Sequence, residues 1–141
     1  MANLKVNIAG VELKNPIITA SGCFGFGKEY EALYPLSRLG GISLKGTTYE
    51  ERLGNPPCRI AETASGILNS VGLQNPGVKH FLSEDLPYLL DKGTVIIVNA
   101  AGSAIEDYRM LAEALDASAV DMIELNISCP NVKVGGMAYG V

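Results

Sequence analysis

The chain has a single histidine, His80, and three cysteines, Cys23, Cys58 and Cys129, with no Cys-x-x-Cys pair among them. That set is too sparse for a zinc or iron–sulfur centre carried by this chain alone. An odd number of widely spaced cysteines, with no secretory signal, reads as reduced thiols. The start, Met1-Ala-Asn-Leu-Lys5, lacks an apolar signal core, so the expectation is a cytoplasmic protein. No apolar run approaches the roughly 20 residues that cross a bilayer, so no membrane span is expected. No lysine/arginine cluster stands out and the net charge is −4, which argues against a nucleic-acid face and a basic membrane-docking face. Charged residues make up only 18% against 48% hydrophobic, which excludes a disordered chain.

What is present suits one ordinary domain of 141 residues with its own core. Residues 4–13 alternate, with Leu4, Val6 and Ile8 before Ala9-Gly10 and Val11 and Leu13 after it; this predicts a short hairpin. Four apolar segments of strand length follow, at 17–20, 41–44, 94–98 and 122–125. Helical patterns separate most of them. The clearest spans 104–117, with Ser103 and Glu106 spaced as a capping box and Ile105, Tyr108, Leu111, Ala112 and Leu115 along one face. A second runs over 77–91, is expected to divide at Pro87, and ends at Gly93. His80 falls in it and reads as a surface or packing residue. A first, near 28–38, is short and disturbed by Pro35. Strand alternating with helix predicts βαβ units and a parallel sheet. The stretch 46–75 is too long for a simple connection. Its segments 59–62 and 66–69 suit a small antiparallel excursion, and long loops of this kind carry function.

The four apolar segments end at Ser21, Lys45, Asn99 and Asn126. In a parallel α/β sheet those ends share one edge, where such folds place their chemistry. The plainer reading is that strands stop where polarity begins. Cys129, three residues past Asn126 and between Ser128 and Pro130, is the leading catalytic candidate, since a thiol in a suitable environment acts as base or nucleophile. Its alternative is a packing cysteine. Lys45 ends an otherwise apolar strand, and a fixed positive charge there suits an anionic substrate or an electron-rich ring; the alternative is a lysine that snorkels to solvent. The run 69–77 offers amides, a hydroxyl and a close-approach glycine for a flat heterocycle, or else an ordinary turn. Gly22, Gly25 and Gly27 do not form a dinucleotide-binding fingerprint, so a Rossmann reading is poor. Glu124 stands inside the fourth apolar segment on the same face as Asn126 and needs a partner if that face is interior.

Together these motifs resemble the dihydroorotate dehydrogenase family, in particular the catalytic flavin subunit of its NAD-linked subfamily, class 1B. The residues are Asn15-Pro-Ile-Ile-Thr-Ala-Ser-Gly22, Ser43-Leu-Lys-Gly-Thr-Thr48, Asn69-Ser-Val-Gly-Leu-Gln-Asn-Pro-Gly77 and Asn126-Ile-Ser-Cys-Pro-Asn131, with Gly135-Gly136 after it. The resemblance implies an α/β fold of the TIM (β/α)8 barrel family that binds FMN at the C-terminal ends of its strands. It implies oxidation of dihydroorotate to orotate in pyrimidine biosynthesis, with Cys129 as the base that takes a proton while hydride leaves for the flavin. It implies substrate contacts at Lys45, Asn69, Ser70, Val71, Gly72, Leu73, Asn126 and Asn131, and FMN contacts at Ser21, Lys45, Gly46, Asn99 and Asn126. It implies a homodimer joined, as a heterotetramer, to a second subunit that carries FAD and a [2Fe-2S] cluster and passes electrons to NAD+.

A (β/α)8 barrel needs about 250 residues. The expectation for 1–141 is therefore the N-terminal half of an FMN-binding barrel domain, with about four βα units and an N-terminal hairpin. By itself it should bind FMN weakly or not at all. Two other readings stay open: a flavin domain like that of dihydropyrimidine dehydrogenase, whose similar loop generally continues with a histidine where this chain has Asn131, and an inactive fragment that only associates with a partner.

Overall fold

The computed structural model describes residues 2–128. Its first element is an antiparallel pair, β1 (Val6–Ile8) and β2 (Val11–Leu13), in the register Val6↔Leu13 and Ile8↔Val11. Ala9 and Gly10 turn the chain with φ of 49° and 93°, the two left-handed positions that a tight hairpin turn requires. Asn7 Oδ1 accepts from the Gly10 N–H at 3.0 Å.

The centre of the molecule is a parallel sheet of β3 (Ile18–Thr19), β4 (Gly41–Ser43), β7 (Val95–Ala100) and β8 (Met122–Leu125), in that spatial order. Side chains alternate across it. Ile42, Leu44, Ile96, Val98 and Ala100 pack with Leu36, Val78, Phe81, Leu89, Leu111 and Leu115 into one buried apolar cluster beneath the helices. The opposite face carries Ser43, Ile97, Asn99 and Glu124, matched by the registers Ser43↔Ile97 and Asn99↔Glu124. β7 runs two residues past its expected end, so Asn99 lies within a strand rather than at its terminus.

Between β3 and β4 stand a four-residue helix, α1 (Lys28–Glu31), and a 3-10 turn (Leu36–Arg38), separated at Pro35. Between β4 and β7 the chain makes an exposed antiparallel excursion, β5 (Ile60–Thr63) and β6 (Gly66–Asn69), then a helical run in three pieces. These are α2 (Gly77–His80), a π-helical turn (Phe81–Asp85) and α3 (Leu86–Leu90). The expected break at Pro87 takes the form of that wide turn. Leu86 N–H donates to the Phe81 carbonyl five residues back, and Pro87 follows with no N–H to return the run to ordinary α pairing.

The last helix, α4 (Ile105–Asp116), departs from the expected cap. Ala104, not Ser103, is its N-cap, which moves the third helical position from Glu106 to Asp107. Asp107 Oδ2 reaches back to the N–H groups of Ser103 at 2.7 Å and Ala104 at 3.1 Å. Glu106 instead turns outward to Arg109. Leu111 and Leu115 are fully buried as expected, but Ile105, the first residue of the helix, is 85% exposed. No helix among the described residues is long and apolar enough to cross a membrane.

Candidate active site

The C-terminal edge of the parallel sheet opens into a cleft of roughly 270 Å³ lined by Ser21, Gly22, Lys45, Gly46, Leu73, Asn99, Glu124, Leu125, Asn126 and Ser128. Four strands converge on it. The loop after β3 supplies Ser21 and Gly22, the loop after β4 supplies Lys45 and Gly46, β7 supplies Asn99, and β8 with its following loop supplies Glu124 and Asn126. Lys45 is held by its own N–H, which donates to the Gly25 carbonyl at 2.9 Å and ties the glycine-rich loop to the end of β4.

Gly46 lies tight against the cleft side chains. A Cβ there would stand 2.7 Å from Leu73 Cδ1 and 3.0 Å from Asn99 Oδ1. Its absence lets Leu73 and the two asparagine amides close over the backbone. Gly22 has φ of 80°, and a Cβ on it would approach Lys45 Nζ at 3.9 Å, toward the cleft.

The polar groups form one connected line. Asn99, 3% exposed, donates through Nδ2 to Glu124 Oε1, and its Oδ1 accepts from Asn126 Nδ2 at 3.0 Å. Ser43 Oγ donates to Glu124 Oε2 at 3.1 Å. The loop after β8 is fixed by backbone contacts. Asn126 N–H donates to the Ala100 carbonyl at 2.8 Å, and Tyr108 Oη donates to the Asn126 carbonyl at 2.7 Å.

A family profile described as dihydroorotate dehydrogenase matches residues 3–141. The chain belongs to the dihydroorotate dehydrogenase family. It is 56% identical over 140 residues to the dihydroorotate dehydrogenase B (NAD(+)) catalytic subunit of Petrotoga mobilis, covering 99% of this chain and 47% of that protein. It is 57% identical over 138 residues to the same subunit of Alkaliphilus metalliredigens, covering 98% and 46%. The chain spans about half the length of these curated relatives. The crystal structure of DHODH in complex with ferulenol from Eimeria tenella superposes with a TM-score of 0.70 at 25% identity, over 93% of this chain and 38% of that one. That likeness and the parallel sheet backed by helices fit part of a (β/α)8 barrel, the dihydroorotate dehydrogenase fold.

Of the residues expected to hold ligand in such a dehydrogenase, the cleft gathers Ser21, Lys45, Gly46, Leu73, Asn99 and Asn126. Asn69, Ser70, Val71 and Gly72 are not among its lining. Asn69 ends β6 opposite Ile60, and the next three residues are clasped by the loop before β5. Asn55 Nδ2 donates to Ser70 Oγ at 2.9 Å, Asn55 N–H donates to the Val71 carbonyl at 2.9 Å, and Gly72 packs directly on Asn55. Asn75, part of the same motif, is buried and internal, its Oδ1 accepting from the N–H groups of Thr48 and Gly77 at 3.0 Å each. Cys129 and Asn131 lie outside the described residues. The cleft also takes in Gly22, Glu124, Leu125 and Ser128, which were not in the expected ligand set; of these Glu124 carries charge, and an acid inside an apolar strand was its signal.

Proposed function

We propose that this chain is the N-terminal half of the catalytic subunit of an NAD-linked dihydroorotate dehydrogenase, oxidising dihydroorotate to orotate with FMN. The observation that carries this reading is the cleft: six of the expected ligand residues meet at one sheet edge, five from the ends of four separate strands and Leu73 from the loop before α2. Its chemistry suits a flat, acceptor-rich ring. Lys45 offers a cation, Asn99 and Asn126 offer amide N–H groups, and Gly22 leaves room for backbone to approach. FMN, when bound, supplies the hydride acceptor.

The chain's own residues do the rest. Lys45 holds positive charge where electron density collects. The amides orient the planar substrate through its carbonyl groups, and the carboxylate of dihydroorotate adds an anion that the same lysine attracts. Cys129 takes the proton from the carbon next to the one that gives up hydride, so the C–C single bond of the ring becomes a double bond. Asn69 through Leu73 and Asn131 complete the substrate contacts. A homodimer pairs with an electron-transfer subunit carrying FAD and [2Fe-2S], and the assembly works in the cytoplasm.

The test is anaerobic mixing of the full-length holoenzyme with dihydroorotate while flavin absorbance is followed. Bleaching is expected, slowed by a factor of roughly 10² or more in Cys129→Ser, the range of positioned acid–base catalysis. An unchanged bleaching rate in that variant overturns Cys129 as the base, and no bleaching in wild type overturns the substrate assignment.

A further inference from the structure

We infer that Glu124 is a positioning residue whose carboxylate sets the direction in which the amides of Asn99 and Asn126 point, making this edge of the cleft a row of N–H donors. The inference rests on the reading of the cleft as a flavin and orotate site.

The argument starts from what a carboxylate can do. Ionised, it accepts hydrogen bonds and donates none. Glu124 Oε2 is already taken by Ser43 Oγ at 3.1 Å, and Ser43 is buried and held in the sheet, with its own N–H donating to Thr19 Oγ1 at 3.2 Å. The Asn99 atom facing Glu124 Oε1 must therefore be its amide nitrogen. Once that is so, Asn99 Oδ1 faces Asn126, and the Asn126 atom at 3.0 Å from it must be nitrogen too. Asn126 Oδ1 is then turned to its own loop, where it accepts from the Ser128 N–H at 3.3 Å. Each link forces the next. An asparagine amide turned through 180° is nearly the same shape with donor and acceptor exchanged, so packing alone does not settle the choice. The carboxylate does.

The consequence falls on the ligand. Among the described residues, each of the two amide nitrogens uses one of its two hydrogens in the relay. The other hydrogen of each has no acceptor among the described residues, and both residues line the cleft with Lys45, so it is left for a ligand there. Donors and a cation on one edge select for carbonyl oxygens and anionic nitrogen, as in a flavin pyrimidine ring or orotate. With the amides reversed, the same edge would present acceptors and repel those groups.

The substitutions are Glu124→Gln, close in shape but able to offer nitrogen or oxygen to Asn99, and Glu124→Leu, which offers neither. In the full-length protein, flavin retention is expected to weaken by about five- to ten-fold in both, the scale of one lost hydrogen bond. Combined with Asn99→Ala, Glu124→Gln should add less than a two-fold further loss, because its effect passes through that amide. In the flavin-free protein, the side-chain NH₂ signals of both Asn99 and Asn126 should shift in Glu124→Gln by nuclear magnetic resonance. Wild-type flavin retention in both single variants, or fully additive losses in the double variant, overturns the positioning role. Wild-type protein that takes up no FMN overturns the flavin reading instead. The amide signals then decide the relay separately, and an unmoved Asn126 signal sinks it.

Discussion

Two residues show how local chemistry holds the cleft in place. A methyl group on Gly46 would stand 2.7 Å from Leu73 Cδ1 and 3.0 Å from Asn99 Oδ1, so one of these side chains must move to admit it. Gly46→Ala should therefore push Leu73 or the amide line outward. The expected result is at least a ten-fold loss of flavin retention in the full-length protein, read by fluorescence titration, with secondary structure intact by circular dichroism. Lys28 acts from further away. Its Nζ donates to Asp85 Oδ1 at 2.8 Å, joining α1 to the π-helical turn, and His80 Nδ1 stands 3.4 Å from the other carboxylate oxygen. The hydrogen bond to Asp85 raises the Lys28 pKa above its ordinary value, against an opposing effect of burial. A raised folded pKa means the pair's contribution is fully present below the unfolded lysine value, near 10.4, and is lost as pH rises through the folded one. Lys28→Met leaves Asp85, 5% exposed, without its cation, while the lysine itself was 44% exposed. A cost of about 1–2 kcal/mol follows after allowing for solvent screening. Urea unfolding should show that deficit at pH 8 and show it closing at strongly alkaline pH; a constant difference across the range would refute the assignment.

At the scale of elements, periodicity decided well where it reflected packing against the sheet and poorly where it reflected only spacing. Leu111 and Leu115 of α4 are fully buried, yet Ile105, on the same expected stripe, is exposed. Leu115→Ala should cost about 2–5 kcal/mol in chemical denaturation of the chain, and Ile105→Ala within about 0.5 kcal/mol; equal costs would mean that α4 crosses the sheet differently. The cap was misread for a related reason. Ser103 and Glu106 have the right spacing, but a start one residue later hands the role to Asp107, and a one-residue boundary is below what spacing resolves. Glu106 pairs with Arg109, whose hydrogen bond holds its carboxyl below the usual range. That contribution is present above the unfolded glutamate value and fades as pH falls through the depressed one. The strand ends were legible because polarity changes sharply there, which placed Ser21, Lys45 and Asn126 at the cleft. The fate of 69–72 was not, because Asn55 and Arg59 reach these residues from an excursion whose own fold no local pattern reveals. Glu124 was legible as an anomaly but not as a link, since its partners Ser43 and Asn99 come from other strands.

At the scale of the whole molecule, the sheet formed by the described residues is open. A parallel sheet is ordinarily covered on both faces and lacks free edges when closed into a barrel. Among the described residues β3 and β8 are both edge strands, and Ile17, Ile123, Leu125 and Ile127 are exposed along or beside them. Beside β8, Ile105, Tyr108, Leu125 and Ile127 line an apolar hollow of roughly 210 Å³. Backbone groups and apolar side chains exposed together template association with further chain. The cleft shares this openness, because Glu124 lies on β8 and Asn126 just past its end, and among the described residues β8 has no outer neighbour and nothing closes the far side. A flavin ring laid on this edge would keep much of its surface in water, and affinity depends on removing that surface from water. The 141-residue chain purified by itself should therefore self-associate, seen as concentration-dependent sedimentation, bind a hydrophobic dye, and carry far less than one flavin per chain. Adding the remaining half of a relative's catalytic subunit as a separate polypeptide should suppress dye binding and restore flavin. A monodisperse, dye-negative, stoichiometrically yellow chain would show that the open sheet is closed by some other arrangement, and the half-barrel reading would be wrong.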